Sequence, residues 1–299
     1  MTSKNVSDFA YIADFTTGVI RGLKYKKAMV NGDRVDYLEA GKGEPIVFIH
    51  GFGGVNVQWR YWLSFFKRNY RVIAVTIPDL TPTLQFDKGH YSFRNYAQWL
   101  DQFLETIGIE RSHLVSHCTG SCIAAFYASL HAEKVASLTL LSSPDIRATN
   151  GTDVINTFDR TDVVMNADPA RLRSVLAKSF ARPPRMPQLI LNRIAARLSA
   201  NSEKVCFLLS ELSRSSAILV KRLALIESPT LIVGGDRDVY LSNQEAFEYY
   251  REQIPNSELV ILRECGHFPL YEQQELCVGH VDKLIARNSM SKSLPNSAA

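Results

Sequence analysis

No apolar run in the 299-residue chain approaches the roughly 20 residues that span a bilayer, and the N-terminus lacks the order of basic, apolar and small residues of a signal peptide. We therefore expect no membrane-spanning helix and a cytoplasmic location. The chain has only five cysteines, and none of them form a paired C-x-x-C motif. We therefore predict free thiols, and we expect neither a bound metal nor another cofactor. The cysteines are Cys118, Cys122, Cys206, Cys265 and Cys277.

The chain also lacks a strong charge of either sign. Its net charge is +4 at pH 7, and no segment combines dense Lys or Arg with aromatic residues, so nucleic-acid binding is not expected. The charge is nevertheless uneven, because residues 146–228 carry 13 Lys and Arg against 7 Asp and Glu, which leaves the remainder slightly acidic. With 46% hydrophobic and 21% charged residues, the composition is typical of one globular domain with a full core.

The N-terminal region contains two different patterns. Apolar residues recur at Phe9, Ile12, Phe15, Val19 and Ile20. This helical spacing predicts a short amphipathic helix that packs on the body of the protein. Residues 26–41 then alternate between apolar and polar on either side of Asn31-Gly32-Asp33. Because Asn-Gly supplies the positive φ angles of a tight turn, we predict two antiparallel strands there.

Six short, continuous apolar runs follow, as is typical of strands that are buried on both faces. They are PIVFIHG (45–51), YRVIAVTI (70–77), HLVSHC (113–118), SLTLLSS (137–143), PTLIVGG (229–235) and SELVILREC (257–265). Sequence of helical character lies between the runs. The series therefore predicts an α/β fold with a mostly parallel, doubly wound sheet and helices on both sides.

About 80 residues separate the fourth run from the fifth, far more than a strand-to-helix link needs. Several segments in this interval have helical periodicity, so we predict a helical cap that includes the concentrated positive charge. The predicted organisation is an N-terminal extension at 1–25, a core at 26–145 and 224–288, the cap at 146–223 and a disordered tail at 289–299.

A candidate nucleophile, Cys118, lies at the junction between the run HLVSHC and the helix-like sequence after it. The small residues Ser116 and Gly120 stand two positions away on either side. A residue held in a strained conformation between strand and helix needs small neighbours there, because the two elements must pack closely. The segment from Ser116 to Gly120 therefore resembles the G-x-S-x-G nucleophile elbow of the α/β-hydrolase family, with Ser for the first Gly and Cys for the nucleophilic Ser.

The resemblance covers nearly the whole chain, because other motifs follow in the family's order of nucleophile, acid and histidine. It implies a catalytic triad of Cys118, Asp238 and His267. Asp238 ends the segment GDRD after the strand PTLIVGG, and His267 lies in GHFP after the strand that ends at residue 265. Asp236 competes for the role of acid, and the position within the motif favours Asp238.

The resemblance also implies an oxyanion hole. The segment HGFGG (50–54), directly after a strand, is similar to the family's oxyanion loop. By that similarity the backbone N–H groups of Phe52 and Thr119 would hold the developing oxyanion. Four further residues surround the elbow, and the family pattern implies that they support the site rather than react. They are His50, Gly51, His117 and Gly120.

A cysteine nucleophile changes which substrates are productive. At a helix N-terminus and beside an imidazole, Cys118 is expected to form a thiolate, which the helix dipole and protonated His267 both stabilise. Attack on an ordinary ester would revert, because the tetrahedral intermediate expels sulfur more readily than an alkoxide. A thioester avoids this problem, since both sulfurs leave comparably and the acyl group moves between thiols with almost no change in free energy.

Three functions follow as alternatives. The first is acyl or aminoacyl transfer through a Cys118 thioester between carrier-protein or coenzyme A thiols, which the basic cap favours because those partners are acidic. The second is hydrolysis of thioesters or activated esters and lactones, as in thioesterases and enzymes similar to dienelactone hydrolases. The third is a non-catalytic binding protein, against which the intact triad and oxyanion segments argue.

Three features leave these alternatives open. Residues 78–84 depart from the Gly-rich loop common in relatives, which argues against transferring any familiar substrate. A serine-to-cysteine substitution made to trap an intermediate would leave the same residue at position 118. Cys122 and Cys265 lie near the triad in sequence, and each is either a resolving thiol or a packing residue, of which packing is favoured.

Overall fold

The computed structural model describes residues 22–78, 91–147, 168–200, 202–239 and 242–289. The predicted amphipathic helix, the loop that follows residue 78 and residues 290–299 of the predicted tail lie outside these ranges. The described strands are β1 (Lys24–Val30), β2 (Asp33–Ala40), β3 (Pro45–Ile49), β4 (Arg71–Val75), β5 (Ser112–His117), β6 (Val135–Leu141), β7 (Thr230–Gly235) and β8 (Ser257–Leu262).

These strands form one sheet in the order β1-β2-β4-β3-β5-β6-β7-β8. β2 pairs antiparallel with both β1 and β4, and all other neighbours are parallel. The predicted fold class is therefore confirmed, since each of the six apolar runs forms a strand of the parallel part. The hairpin is confirmed as well, with Asn31 and Gly32 at φ angles of 52° and 87°. Its first strand begins at Lys24, two residues before the predicted start of the core.

The helices within the described ranges are α1 (Arg60–Phe66), α2 (Phe93–Thr106), α3 (Thr119–Ala128), α4 (Pro169–Ser179), α5 (Gln188–Ser199), α6 (Ser202–Val220), α7 (Gln244–Gln253), α8 (Pro269–Glu272) and α9 (Gln274–Arg287). Several of these helices begin at a residue whose side chain accepts a hydrogen bond from the first turn. Ser92 accepts a hydrogen bond from the N–H of Asn95 at the start of α2, and Asp168 accepts two at the start of α4. None of the described helices is both long and apolar enough to cross a membrane.

Alternate residues of each central strand face opposite layers of helices, as the strand period requires. In β3, Val47 and Ile49 join the core formed with α2, α3 and α7. Ile46 and Phe48 join the core formed with α1 and α9 on the other face. The sheet is therefore covered on both sides, and the carboxyl ends of its central strands β3, β5 and β6 lie together at one edge.

The interval between β6 and β7 contains the three helices α4, α5 and α6, in the region predicted as a helical cap. α4 and α5 share a small apolar cluster of their own, built on Leu172, Met186, Leu191 and Ala195. α6 packs differently, because its buried Leu212 and Leu219 belong to the core of the sheet. The residue boundaries of the cap remain a prediction.

Candidate active site

The backbone at Cys118 forms a sharp turn between β5 and α3. Its φ of 54° and ψ of −128° lie where a residue with a side chain is strained. The N–H of Cys118 donates to the carbonyl oxygen of Leu141 at 2.9 Å, and its carbonyl oxygen accepts from the N–H of Ser121 at 2.8 Å. These two bonds hold the turn from both sides, so the residue is fixed at the carboxyl edge of the sheet.

Close packing around this turn explains its small residues. A Cβ atom added to Gly120 would lie 2.4 Å from the carbonyl oxygen of His50, and one added to Gly51 would lie 2.7 Å from the Cβ of Cys118. Ser116, which stands where the family motif has Gly, is fully buried and donates its hydroxyl to the carbonyl oxygen of Thr139 at 2.7 Å. The hydroxyl therefore finds a partner within the sheet, which accounts for this departure from the motif.

The acid and the histidine meet in the interior, on loops that follow β7 and β8. Asp238 Oδ2 accepts a hydrogen bond from His267 Nδ1 at 2.9 Å, and each residue is only 2% exposed. Asp236 is exposed instead, and its carboxylate accepts the N–H of Cys265 at 3.3 Å. The structure thus brings Asp238, and not its competitor, to the histidine.

The His267 ring lies between the side chains of Asp238 and Cys118. Burial alone would lower its pKa, but the charges of Asp238 and Cys118 outweigh burial and raise the pKa of His267 to about 10. The charge of Cys118 contributes more to this shift than the hydrogen bond between the two side chains does. This environment favours a protonated imidazole beside a thiolate, and the N-terminus of α3 favours the thiolate further.

Two further histidines position the backbone of the site. His117 Nε2 lies 2.8 Å from the carbonyl oxygen of His267, so we assign the ring proton to this nitrogen. Burial and the nearby charge of His267 lower the pKa of His117 to about 3, which keeps it neutral. His50 accepts the N–H of Ile77 at Nε2 and donates from Nδ1 to the carbonyl oxygen of Gly51 at 2.7 Å. It thereby ties the predicted oxyanion loop to the segment that follows β4.

The two predicted oxyanion residues are adjacent, although 67 positions separate them in sequence. The N–H of Phe52 donates to Thr119 Oγ1 at 2.6 Å. The same oxygen lies 4.0 Å from the sulfur of Cys118, to which it donates. The sequence indicated the backbone of Thr119 as part of the site and gave no role to its side chain.

Sequence reasoning also missed a group that holds the histidine loop, which we term the clasp: Ser179, Ala181, Gly266 and Glu272. The N–H of His267 donates to the carbonyl oxygen of Ser179 at 2.7 Å. Glu272 accepts the N–H groups of Ala181 at 2.8 Å and Gly266 at 2.9 Å. The clasp therefore joins the segment after α4 directly to the loop that carries the histidine.

Ring packing reinforces the clasp. Phe180 stacks on Phe268 with 4.6 Å between the ring centroids, and Phe268 meets the ring of His267 edge-on. Burial raises the pKa of Glu272, although the N–H groups that it accepts oppose the shift. The sequence does show an acidic residue, Glu272, five positions after the histidine. Nothing in the neighbouring sequence, however, indicates that this residue binds the backbone of the predicted cap region.

Three of the other thiols are deeply buried, which disfavours their thiolate form. Burial raises the pKa of Cys122 and of Cys277 to about 12, and it raises that of Cys265 still further. The sulfur of Cys122 lies 3.7 Å from the hydroxyl of Tyr250 inside the core. These surroundings suit packing residues. Within the described ranges, no group of three or more His, Cys, Asp or Glu side chains suits a metal ion.

The sequence matches known proteins along most of its length. The model of the alpha/beta hydrolase fold family matches residues 44–274. The chain is similar to a dihydrolipoyllysine-residue acetyltransferase component of an acetoin cleaving system from Pseudomonas putida, at 26% identity over 89% of this chain and 70% of the relative. It is also similar to a 2-hydroxy-6-oxo-6-(2'-aminophenyl)hexa-2,4-dienoic acid hydrolase from Metapseudomonas resinovorans, at 25% identity over 84% and 88%.

Solved structures give the same fold. A bacterial membrane phospholipase A superposes with a TM-score of 0.79 at 26% identity, over 90% of this chain and 87% of that one. A putative lipase from Acinetobacter baumannii superposes with a TM-score of 0.78 at 23% identity, over 97% and 99%. The core and the predicted cap region therefore have counterparts in proteins of known structure.

Proposed function

Since the chain belongs to the alpha/beta hydrolase fold family and is an enzyme of that fold, we propose that it transfers acyl groups through a thioester on Cys118. The observation that carries the proposal is a buried thiol at the apex of the elbow, beside a histidine whose pKa is raised by that thiol and by Asp238. In this proposal His267 is the acid and base, and Asp238 orients it and stabilises its charge.

The proposed reaction has two symmetrical halves. The Cys118 thiolate attacks the carbonyl carbon of a thioester, the backbone N–H groups of Phe52 and Thr119 hold the oxyanion, and the bond to the donor sulfur breaks. His267 gives its Nε2 proton to the departing thiolate. In the second half His267 takes the proton of the acceptor thiol, whose sulfur attacks the acyl group and releases Cys118 as a thiolate. Each half exchanges one thioester for another.

Burial of the site favours a thiol acceptor over water, and the sulfur nucleophile favours a thioester as the donor. Cys118 and His267 are 7% and 2% exposed, so little solvent reaches the atoms that would activate a water molecule. A thiol nucleophile also returns an ordinary ester to the starting material, because sulfur is the better leaving group, whereas it exchanges thioesters freely. The enzyme therefore needs no cofactor beyond the thiol that carries its substrate.

Exposed positive charge on α4, α5 and the link between them supports an acidic partner. Five basic side chains on or beside α4 and α5 are exposed: Arg173, Lys178, Arg182, Arg185 and Arg193. Leu189 of α5 adds an apolar side chain that is 61% exposed. A phosphopantetheine arm and the carrier protein that bears it, or coenzyme A, are anionic and would be attracted to such a surface. We propose a carrier protein or coenzyme A as the source and acceptor of the acyl group.

Hydrolysis of thioesters or activated esters is the second candidate, and the names of the relatives favour it. Besides the acetyltransferase component, the similar proteins include a dienoic acid hydrolase and a monoacylglycerol lipase from Xenopus laevis, which is 23% identical over 84% of this chain and 79% of its own. In this candidate the same three residues act, and His267 directs water instead of a thiol onto the acyl enzyme.

One experiment separates the two candidates. Cys118 is loaded with a radiolabelled acyl group from an acyl-coenzyme A panel, and the sample is divided between plain buffer and buffer with a holo carrier protein. A transferase keeps its label in buffer and passes it quickly to the carrier thiol. Cys118→Ala should take up no label, and Cys122→Ala, its matched control, should load normally. Rapid loss of label in buffer alone would establish the hydrolase, and labelling at another cysteine would contradict both.

The partner can be tested on the same system. Charge reversal at Arg185 and Arg193 should slow transfer to the carrier protein, because both side chains are exposed basic groups on or beside α5. Transfer to a small thiol such as N-acetylcysteamine should be unchanged. Arg251→Glu, on α7 of the body, is the matched control for the loss of positive charge. Equal effects of all three substitutions would remove the carrier protein from the proposal.

A further inference from the structure

The Thr119 hydroxyl lies against one of the two backbone donors proposed for the oxyanion. It is 2.6 Å from the N–H of Phe52, one of the two backbone donors proposed for the oxyanion, and it lies 4.0 Å from the sulfur of Cys118. An oxyanion forms within about 3 Å of its donors and on the carbon that the sulfur has attacked. In the resting enzyme, an oxygen atom of the residue next to Cys118 therefore takes up one donor of the proposed oxyanion hole, within reach of a substrate oxygen bound there.

From this arrangement we propose that the Thr119 side chain is a further catalytic group, which donates its O–H to the oxyanion. The proposal rests on the acyl-enzyme function above and adds a third donor to the two backbone N–H groups. A hydroxyl has one proton and two lone pairs, so it can accept from Phe52 in the resting state and donate to an anion during the reaction. Thr119 would then contribute two donors, one from its backbone and one from its side chain.

The position of the hydroxyl suits a charge that moves. Before attack the negative charge is on the sulfur of Cys118, which lies a long 4.0 Å from the Thr119 hydroxyl oxygen. In the tetrahedral intermediate the charge lies on the substrate oxygen, which replaces the hydroxyl as the acceptor for the N–H of Phe52. The Thr119 side chain is partly exposed and not enclosed by the core, so rotation about its Cα–Cβ bond can free this position.

Because its partner changes from the thiolate to the oxyanion, the hydroxyl can accelerate acylation and not only assist substrate binding. Its contact with the thiolate is long, whereas a hydrogen bond to the oxyanion would be short and formed to a charged acceptor. Only interactions that are stronger in the transition state than in the ground state accelerate the chemical step. The cost of displacing the resting bond to Phe52 is offset because the oxyanion takes over that N–H.

The test compares two reactions of the same sulfur in Thr119→Val, which keeps the shape of the side chain and removes the hydroxyl. Acylation by an acyl-coenzyme A passes through an oxyanion, and alkylation by iodoacetamide does not. Thr119→Val should acylate about 10- to 100-fold more slowly and alkylate at nearly the wild-type rate. Thr119→Ser, which restores the hydroxyl, should return acylation to within about threefold of wild type.

Other outcomes would overturn the role of the hydroxyl. Equal loss of acylation and alkylation in Thr119→Val would mean that the hydroxyl acts on the thiolate, and unchanged or faster acylation would mean that it only occupies the site. Thr119→Ala repeats the comparison if valine disturbs the packing. A wild-type enzyme that alkylates at Cys118 but never acylates would contradict the proposed function itself, whereas a normal wild type with a normal Thr119→Val contradicts the Thr119 proposal alone.

Discussion

Cys118 and His267 are held in different ways. Cys118 is fixed by the backbone of the sheet core, between β5 and α3 and with a hydrogen bond to the end of β6. His267 is fixed largely by side chains and by a segment from outside the core, through the clasp and the ring of His117. Cys118, the proposed nucleophile, therefore keeps its place as long as the sheet is folded, while His267 also depends on the position of the helices after β6.

This difference predicts two kinds of damage. A change on the nucleophile side should lower stability and activity together, because the elbow and the core are the same structure. A change on the histidine side should lower activity with little effect on the stability of the sheet. Four measurements test this contrast.

The largest effect is expected on the nucleophile side, from Gly120→Ala. The added Cβ would meet the backbone oxygens of His50 and Ile49 at 2.4 and 2.7 Å, which cannot move without shifting β3. We expect a loss of about 3 kcal/mol in the free energy of unfolding and a Tm lower by about 6 to 12 °C, with acylation abolished. Gly279→Ala in α9 meets nothing within 4 Å and should be neutral or slightly stabilising. A normal Tm for Gly120→Ala would contradict this account of the elbow.

The next effect is expected at the histidine and its acid. His267→Ala should slow acylation about 1000-fold, because the thiolate loses its counter-ion and the leaving group loses its proton donor. Asp238→Asn should cost about 10- to 100-fold, less than for a serine enzyme, since a thiol needs less activation. Single-turnover rates and thermal melts give both quantities. Asp236→Asn, at an exposed carboxylate, is the control, and a larger loss there than in Asp238→Asn would show that the acid is misassigned.

A smaller effect is expected from Glu272→Gln, which keeps the size of the side chain and weakens its hold on Ala181 and Gly266. Displacement of the histidine loop should lower kcat for acylation about 10-fold, with KM nearly unchanged and Tm lower by less than about 4 °C. Glu275→Gln, an exposed neighbour on α9, is the matched control. A large fall in Tm together with the loss of activity would contradict this prediction. It would show that the clasp stabilises the core as a whole and is not a separate support for His267.

The smallest effect concerns pH. The charges of Asp238 and Cys118 raise the pKa of His267 to about 10, so the protonated ring accompanies the thiolate at neutral pH and is lost only as the pH rises through that value. The rate of Cys118 alkylation by iodoacetamide should therefore change by less than about twofold between pH 7 and 9. In His267→Ala the rate should climb over the same interval, as for an ordinary thiol. A steep wild-type profile would show that no ion pair exists.

Much of the fold was predictable because its signals are local. Strands buried on both faces produce continuous apolar runs, and all six runs became strands. The elbow was predictable because tight packing restricts residues two positions away from Cys118, which are close in sequence. The order of acid and histidine came from the family resemblance, and the structure adds the 2.9 Å contact that distinguishes Asp238 from Asp236.

The supporting contacts were not predictable because they join distant positions through side-chain conformation. Ala181 and Glu272 are 91 residues apart, and Phe52 and Thr119 are 67 apart. No periodicity encodes such pairs, since each depends on which rotamer reaches across a folded surface. For the same reason, the helical pattern of α6 predicted a helix without indicating that it packs on the sheet core.

The small separate cluster beneath α4 and α5 has a kinetic consequence. Regions with few buried contacts open locally with less free energy than the whole domain needs to unfold, and amide hydrogen exchange reports the difference. α4 and α5 are joined by four buried residues, far fewer than the cores on either face of the sheet. Each local opening near Ser179 would release the backbone acceptor of the His267 N–H. Turnover should therefore fall in proportion to the fraction of time that these two helices are open.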